Sequence, residues 1–323
     1  IKRLKPELYD KDDFLKMFLD EVRLAARLSH PNVVQIHDVG CIAGHYFLCM
    51  EYLAGDDLGT ILRECGRKDM DVPPMIAARL IAQAAHGLHY AHELRDADGA
   101  PLHIVHRDVS PANLFVTYQG HVTVLDFGIA RAEARIVNTG GGRLKGKTPY
   151  IAPELISGRQ ADPRSDVYAL ALTLYVTLTR HQPFLRENPL ATLRAVRDGQ
   201  IDPIGRFRDD VPGELEQIVR KGIEKYPDRR YQTAGDFAAA LERFLAGYTA
   251  STAHRETALW LRQVLGEERI RERSFVPSIA ALQARGVRVT GFTDPELHTP
   301  GAPTSTPATQ PPLPQAAAQS PRP

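Results

Sequence analysis

From Phe14 to Leu28, apolar residues recur at helical spacing, with Leu15, Phe18, Leu19, Val22, Ala25 and Ala26 set among charged positions, and His30-Pro31-Asn32 closes the run. The spacing predicts an amphipathic helix that stops at Pro31. Val33 to Val39 and Tyr46 to Tyr52 are short β-rich stretches separated by Gly40 and Gly44, as neighbouring antiparallel strands would be, and Gly55 breaks the pattern. Pro74 to Leu94 carries Ile76, Leu80, Ala84, Leu88 and Ala91 at helical spacing, and a polar loop at Asp96 to Gly99 leads on to strand-like Phe115 to Thr117 and His121 to Leu125. A helix-rich remainder runs to about Leu245. Within it, Val167 to Leu178 is 12 residues long with threonines inside it, too short to span a bilayer and expected to be a buried helix. His254 to Arg273 predicts one more amphipathic helix with Leu261 and Leu265 on one face.

The last stretch differs in kind. Pro295 to Pro323 holds 9 prolines in 29 residues and almost no large apolar side chains, so it reads as a disordered linker. Across the 323 residues, 40 Lys and Arg offset 39 Asp and Glu, and a net charge of +1 excludes a global field that would steer the chain to nucleic acid or an anionic membrane. Any phosphate binding must therefore be local. Cys41, Cys49 and Cys65 fit neither a disulfide framework nor a zinc site, which places the expected compartment in the reducing cytoplasm. No membrane span is expected within the chain. An opening of Ile1-Lys2-Arg3, without Met or a leader, reads as a segment of something longer.

The strongest chemical signal is His106-Arg107-Asp108-Val109-Ser110-Pro111-Ala112-Asn113, which sets a carboxylate and an amide five positions apart on a loop between a helix and a strand. Such a carboxylate can accept a hydroxyl proton while the amide oxygen ligates a metal. A second carboxylate follows in Asp126-Phe127-Gly128, just past a strand. A surface turn would explain the first motif alone but not both. The pair resembles the protein-kinase catalytic loop and its metal-binding Asp-Phe-Gly motif, and the resemblance runs from Ile1 to about Leu245.

The resemblance to a bacterial, eukaryotic-like Ser/Thr kinase implies an α+β, two-lobed fold: a small β-sheet lobe over residues 1–50 and a large, mainly helical lobe over 51–247. A helical extension would follow at 248–275 and a Pro-rich disordered tail at 276–323. It implies ATP and Mg²⁺, with Asn113 and Asp126 on the metal, Asp108 orienting and deprotonating the substrate hydroxyl, and Arg107 receiving an activating phosphate. Lys2 matches the strand lysine on the α- and β-phosphates, and Glu21 its helical partner. For adenine the resemblance names Met50 as gatekeeper, the Glu51 carbonyl and Leu53 N–H on the base edge, Asp57 at the ribose and Phe115 below the ring. Ala152-Pro153-Glu154 would end the activation segment, in which Thr139 and Thr148 are candidate phosphosites. Asp166 would brace the catalytic loop and Arg230 would pair with Glu154.

Two departures stand out. The Gly-rich loop and first two strands would lie upstream of Ile1, so this chain alone is expected to bind ATP weakly. Ser110 sits where such kinases carry a lysine, and Lys147 where they carry a threonine, an exchange that would preserve the charge if Lys147 reaches toward Asp108. Protein substrates with Ser or Thr acceptors are expected, since Pro111 is kept and no Ala-Ala-Arg or Arg-Ala-Ala follows Asp108, and autophosphorylation is compatible with them. The alternatives are a pseudokinase or scaffold, which could use Pro311 to Pro314 as an extended docking segment, and a small-molecule phosphotransferase. Retention of Lys2, Glu21, Asp108, Asn113 and Asp126 disfavours the first, and the activation segment ending at Glu154 disfavours the second.

Overall fold

The computed structural model describes residues 1–3, 22–42, 45–127, 148–248 and 253–275. All of them fall within one compact unit, Ile1–Ser278. Strand β1 (Lys2–Arg3) pairs antiparallel with β3 (His45–Met50), which pairs antiparallel with β2 (Ile36–Ile42), giving the order β1-β3-β2. Lys2 lies opposite Leu48, and an irregularity between Ile36 and Asp38 shifts the β2 register. Residues 22–25 form the described part of the first expected helix, which gives way to a turn at 26–27, short of the expected end at Leu28; the part before residue 22 lies outside the described residues.

Residues 33–35 do not join the strand predicted from Val33. The backbone of Val33 and Val34 instead turns to β6 (Val122–Val124): Val34 N–H donates to the Val124 carbonyl at 3.0 Å, and Val33 bridges Val124 in parallel. Asn32 reinforces this tie with a side-chain bond to the Val122 carbonyl at 2.7 Å. Gly87 permits the approach, because a Cβ there would sit 2.5 Å from the Asn32 carbonyl oxygen.

Gly55 is a second correction. Rather than ending strand structure it begins a short one, β4 (Gly55–Asp57), which pairs with β5 (Leu114–Thr117), itself paired with β6. The two backbones lie so close that a Cβ on Gly55 would be 2.2 Å from the Val116 carbonyl oxygen. Asp57 then N-caps α1 (Leu58–Arg67), accepting from Thr60 N–H at 2.8 Å.

The helical body forms around α2 (Pro74–His92) and α4 (Pro163–Thr179), with α3 (Pro153–Ile156) just before α4. From Ser165 to Leu178 every residue of α4 is buried, as expected for a helix apolar on all sides. Helices α5 (Pro189–Asp198), α6 (Gly213–Gly222) and α7 (Ala234–Ala246) follow, the last opened by a Thr233/Asp236 capping box. The single helix expected over His254 to Arg273 is two, α8 (Ala253–Leu265) and α9 (Glu267–Ser274), broken where Gly266 adopts φ 84°. Trp260, Leu261, Val264 and Leu265 of α8 join the main core.

The expected Glu154 and Arg230 pair is present and buried. Arg230 donates to both Glu154 oxygens at 2.9 and 2.7 Å, and its remaining donors reach the carbonyls of Glu224, Arg164 and Lys225. Ser165 donates to the same carboxylate at 2.7 Å. With both charges fully bonded, removing one strands the other, so Arg230→Ala should lower unfolding free energy by about 3–5 kcal/mol in chemical denaturation. A loss under about 1 kcal/mol would mark the pair as solvent-screened.

Candidate active site

The catalytic-loop motif is held from below by one buried carboxylate. Asp166, near the start of α4 and 1% exposed, accepts the backbone N–H of His106 at 2.7 Å and of Arg107 at 2.8 Å, and bonds His92 Nε2 at 2.8 Å. Arg107 takes a left-handed φ of 68°, a conformation that costs an arginine about 1–3 kcal/mol unless its surroundings impose it. The bond to Asp166 helps impose it. Burial alone would raise the Asp166 pKa, but the His92 hydrogen bond and charge and the backbone donors outweigh it and hold the carboxyl below its usual range.

The two motifs are also tied to each other. His106 Nε2 lies 2.7 Å from the Leu125 carbonyl and must donate to it, which leaves Nδ1 to accept the Asp108 N–H at 3.2 Å. The imidazole is therefore neutral, with its proton on Nε2. Its ring meets Phe127 edge-on at 4.7 Å, and Leu125 N–H donates to the Asn113 carbonyl at 2.9 Å. Asp126, at φ 62°, follows directly.

Within this frame Asn113 Nδ2 donates to both the Asp108 carbonyl and Oδ2, at 2.7 and 2.8 Å, so Oδ1 is the side-chain atom left to accept or ligate. Lys2 reaches across from β1, with Nζ 2.6 Å from Asp126 Oδ2 and a side chain 45% exposed. That pair contributes little stability at such exposure and acts mainly as a placement of charge. The Ser110 hydroxyl is buried and has no hydrogen-bond partner among the described residues.

The linker from β3 to β4 has a matching character. Glu51 is committed through its N–H and its side chain, which exchange bonds with the Gln35 backbone at 3.0 and 2.8 Å. The Glu51 carbonyl and Leu53 N–H make no backbone hydrogen bond among the described residues. Met50 is half-buried and lines an apolar pocket with Leu28, Val34, Leu48 and Phe127. Phe115 lies opposite Asp57 in the sheet, so the two residues expected at base and ribose are cross-strand neighbours. Asp57 is engaged as a helix cap, which fixes its carboxylate.

Glu21, Lys147, Thr139 and Gly128 lie outside the described residues, and only the backbone of Thr148 is described. His92 and the motif's own His106 escaped functional assignment from the sequence. His106 stood inside the quoted motif, whereas nothing local to the α2 pattern marks His92 as a partner of Asp166.

A family model for the protein kinase domain matches residues 1–240. The chain belongs to the protein kinase family. It is 49% identical over 284 residues to the tyrosine-protein kinase MasK of Myxococcus xanthus, covering 88% of this chain and 44% of the relative. To the serine/threonine-protein kinase PknB of Mycolicibacterium smegmatis it is 35% identical over 254 residues, 76% of this chain and 39% of that one. The kinase domain of Mycobacterium tuberculosis PknI superposes with a TM-score of 0.55 at 28% identity, covering 75% of this chain and 82% of that structure. The chain spans less than half the length of the curated relatives it matches.

The donor set fits a kinase's nucleotide and metal. Magnesium takes hard oxygen ligands and keeps waters and phosphate oxygens, so one carboxylate and one amide oxygen suffice from the protein. Asp126 and Asn113 Oδ1 would supply such oxygens, and Lys2, 2.6 Å from Asp126, a positive charge beside them.

Asp166 and Glu154 both have carboxyls held below their ordinary values; for Glu154 burial again opposes, and the Arg230 bond and charge prevail. The folded state thus binds fewer protons than the unfolded one in acid. Their contribution is present above the unfolded carboxylate range, about pH 4, and lost as pH falls through the folded values. Unfolding free energy should rise from pH 3 to about pH 5.5 and then level off, with a shallower rise in Asp166→Asn. Equal slopes in the two proteins would remove Asp166 from the account.

Proposed function

We propose that this chain is the catalytic domain of an ATP-dependent protein kinase that transfers the γ-phosphoryl group to Ser or Thr hydroxyls of proteins, itself included. The observation that carries the reading is the convergence of Asp108, Asn113, Asp126 and Lys2, with the first two bonded at 2.8 Å and the last two at 2.6 Å. Residues 1–247 would form the kinase domain, with lobes meeting near Met50, 248–275 its extension and 276–323 a linker-like tail.

The charge requirements of the reaction assign the roles. A migrating phosphoryl group spreads negative charge over its oxygens, so the site must position and neutralise it. Lys2 would hold the α- and β-phosphates, and Glu21 would orient Lys2. Asp108 would accept the acceptor hydroxyl's proton on the oxygen not bonded to Asn113. Magnesium, held by Asn113 and Asp126, would neutralise the triphosphate. The Glu51 carbonyl and Leu53 N–H, without a backbone hydrogen bond among the described residues, would offer adenine an acceptor and a donor, with Met50 behind the base, Phe115 beneath it and Asp57 at the ribose. Arg107 would receive an activating phosphate, for which Thr139 is a candidate.

Lys147 would stand beside Asp108 and the γ-phosphate, with Ser110 supplying the hydroxyl that the family's threonine usually gives. The Ser110 hydroxyl, buried and without a hydrogen-bond partner among the described residues, supports that exchange. The relatives differ in acceptor, one named a tyrosine kinase and another a serine/threonine kinase. Pro111 after Ser110 favours Ser or Thr here. No described helix is long and apolar enough to cross a membrane, and the free cysteines suit the reducing cytoplasm.

Radiolabelled ATP with Mg²⁺ and a generic protein substrate tests the reading in the full-length protein. Asp108→Asn should lower kcat by about 10²–10⁴-fold with a small change in KM for ATP. Phosphoserine or phosphothreonine is the expected product, and phosphotyrosine alone would reassign the acceptor. Lys147→Ala should cut kcat by about 10²-fold while KM for ATP moves less than about threefold. Unchanged turnover would remove Lys147 from the site. A wild-type protein that labels no polypeptide would sink the kinase reading itself.

A further inference from the structure

The family match ends at residue 240, yet α8 and α9 lie beyond it; α8 packs into the same core, and Ile270 of α9 rests against it. The end of α9 does something that packing does not require. Asp56, in β4 and 1% exposed, lies on the strand that directly follows the Glu51 to Ala54 linker, and two arginines of α9 converge on it. Arg269 donates through Nε and a terminal nitrogen at 3.2 and 2.8 Å, and Arg273 donates at 2.5 Å. Tyr118 adds its hydroxyl at 3.0 Å, and Arg269 also lies 3.6 Å from Glu64 of α1. From the other side, the exposed Tyr52 of the linker donates its hydroxyl to the Arg273 carbonyl. Thus α9 grips the linker at Tyr52 and the strand after it at Asp56. Between those two contacts lies Leu53, whose N–H makes no backbone hydrogen bond among the described residues, and directly after them Asp57.

We propose that α8 and α9 form a strap that fixes the linker, and that Asp56, Arg269, Arg273 and Tyr52 are positioning residues for nucleotide binding. The proposal rests on the kinase reading for the identity of the ligand. The chemistry favours positioning over plain stability because the anchoring is divided. Trp260, Leu261 and Val264 bury the apolar face of α8, and Lys68 ties α8 to α1 through the Gln263 carbonyl at 3.1 Å. The arginine clamp sits at the opposite end of the strap, at residues whose backbone borders the adenine-facing groups. An arginine fork on a buried carboxylate sets direction as well as distance.

The test compares full-length wild type with Arg269→Ala/Arg273→Ala, Tyr52→Phe and Lys68→Ala, measuring kcat, KM for ATP, KM for protein substrate and melting temperature. The double variant should raise KM for ATP by about five- to twentyfold, with kcat and protein-substrate KM within about twofold, and Arg269→Lys/Arg273→Lys should recover part of the loss. Tyr52→Phe should raise KM for ATP about two- to threefold with the melting temperature unchanged, and Lys68→Ala should leave KM for ATP alone. If the double variant fails to fold, Tyr52→Phe decides. An unchanged KM in Tyr52→Phe or in a folded double variant, or an equal rise in Lys68→Ala, overturns the strap. Should wild type bind ATP without labelling any polypeptide, the kinase reading fails and the same comparison proceeds on Kd for ATP.

Discussion

A carboxylate sealed from water must be answered by donors, and Asp166 is answered by the backbone of the very loop that carries Asp108. Its position on α4, a helix buried on every side, gives it nowhere to move. Because it accepts from both His106 and Arg107, it fixes a peptide unit rather than a point, and so sets the direction in which the chain leaves toward Asp108. The left-handed backbone at Arg107 is held in place by this bond. His106 then passes the constraint on through its Nε2 proton to Leu125, one residue before Asp126. One buried charge and one neutral imidazole thus connect both carboxylates of the site to the core.

The parts of this arrangement that were legible in the sequence are those confined to short stretches. Asp108 and Asn113 share one short loop, and the Asn113 amide folds back onto the Asp108 backbone carbonyl at 2.7 Å and onto its carboxylate at 2.8 Å. The Glu154 and Arg230 pair and the brace at Asp166 were expected through the family resemblance rather than from local pattern. His92 was not expected at all. It faces Asp166 because α2 and α4 pack together, a relation across 74 residues that neither helix's periodicity encodes. The same limit explains the errors of detail. Gly55 signals a break to any propensity argument, yet here it lets β4 approach the Val116 carbonyl more closely than a side chain would allow. Gly266 lies inside an apparently continuous helical pattern, and its positive φ makes two helices of it.

Opposite charges in this fold do two different kinds of work, and burial separates them. The Glu154 and Arg230 pair, 6% and 0% exposed, has every arginine donor engaged and both carboxylate oxygens bonded, and belongs to the architecture. Lys2 and Asp126 are 45% and 27% exposed, so their attraction is weak and readily exchanged for another ligand. A group that must release its partner to bind a phosphate or a metal belongs in the second class. The placement of Lys2 on a strand, opposite Leu48, supplies the aim that the weak pair does not.

Asp56 belongs to neither class without the segment beyond residue 240. At 1% exposure, and with α9 removed, its carboxylate would retain the Tyr118 hydroxyl as its side-chain partner, an inadequate answer to a buried charge. Either the charge is neutralised or the strand opens to water, and both outcomes move Gly55 to Asp57 relative to β5. Burial and the nearby Asp56 push the Tyr118 hydroxyl pKa up to about 12, so it stays a proton donor at any physiological pH but never a cation. The positive charge has to come from Arg269 and Arg273. A helix lying outside the matched domain therefore completes the electrostatics of a strand inside it, and that strand leads directly from the linker to Asp57.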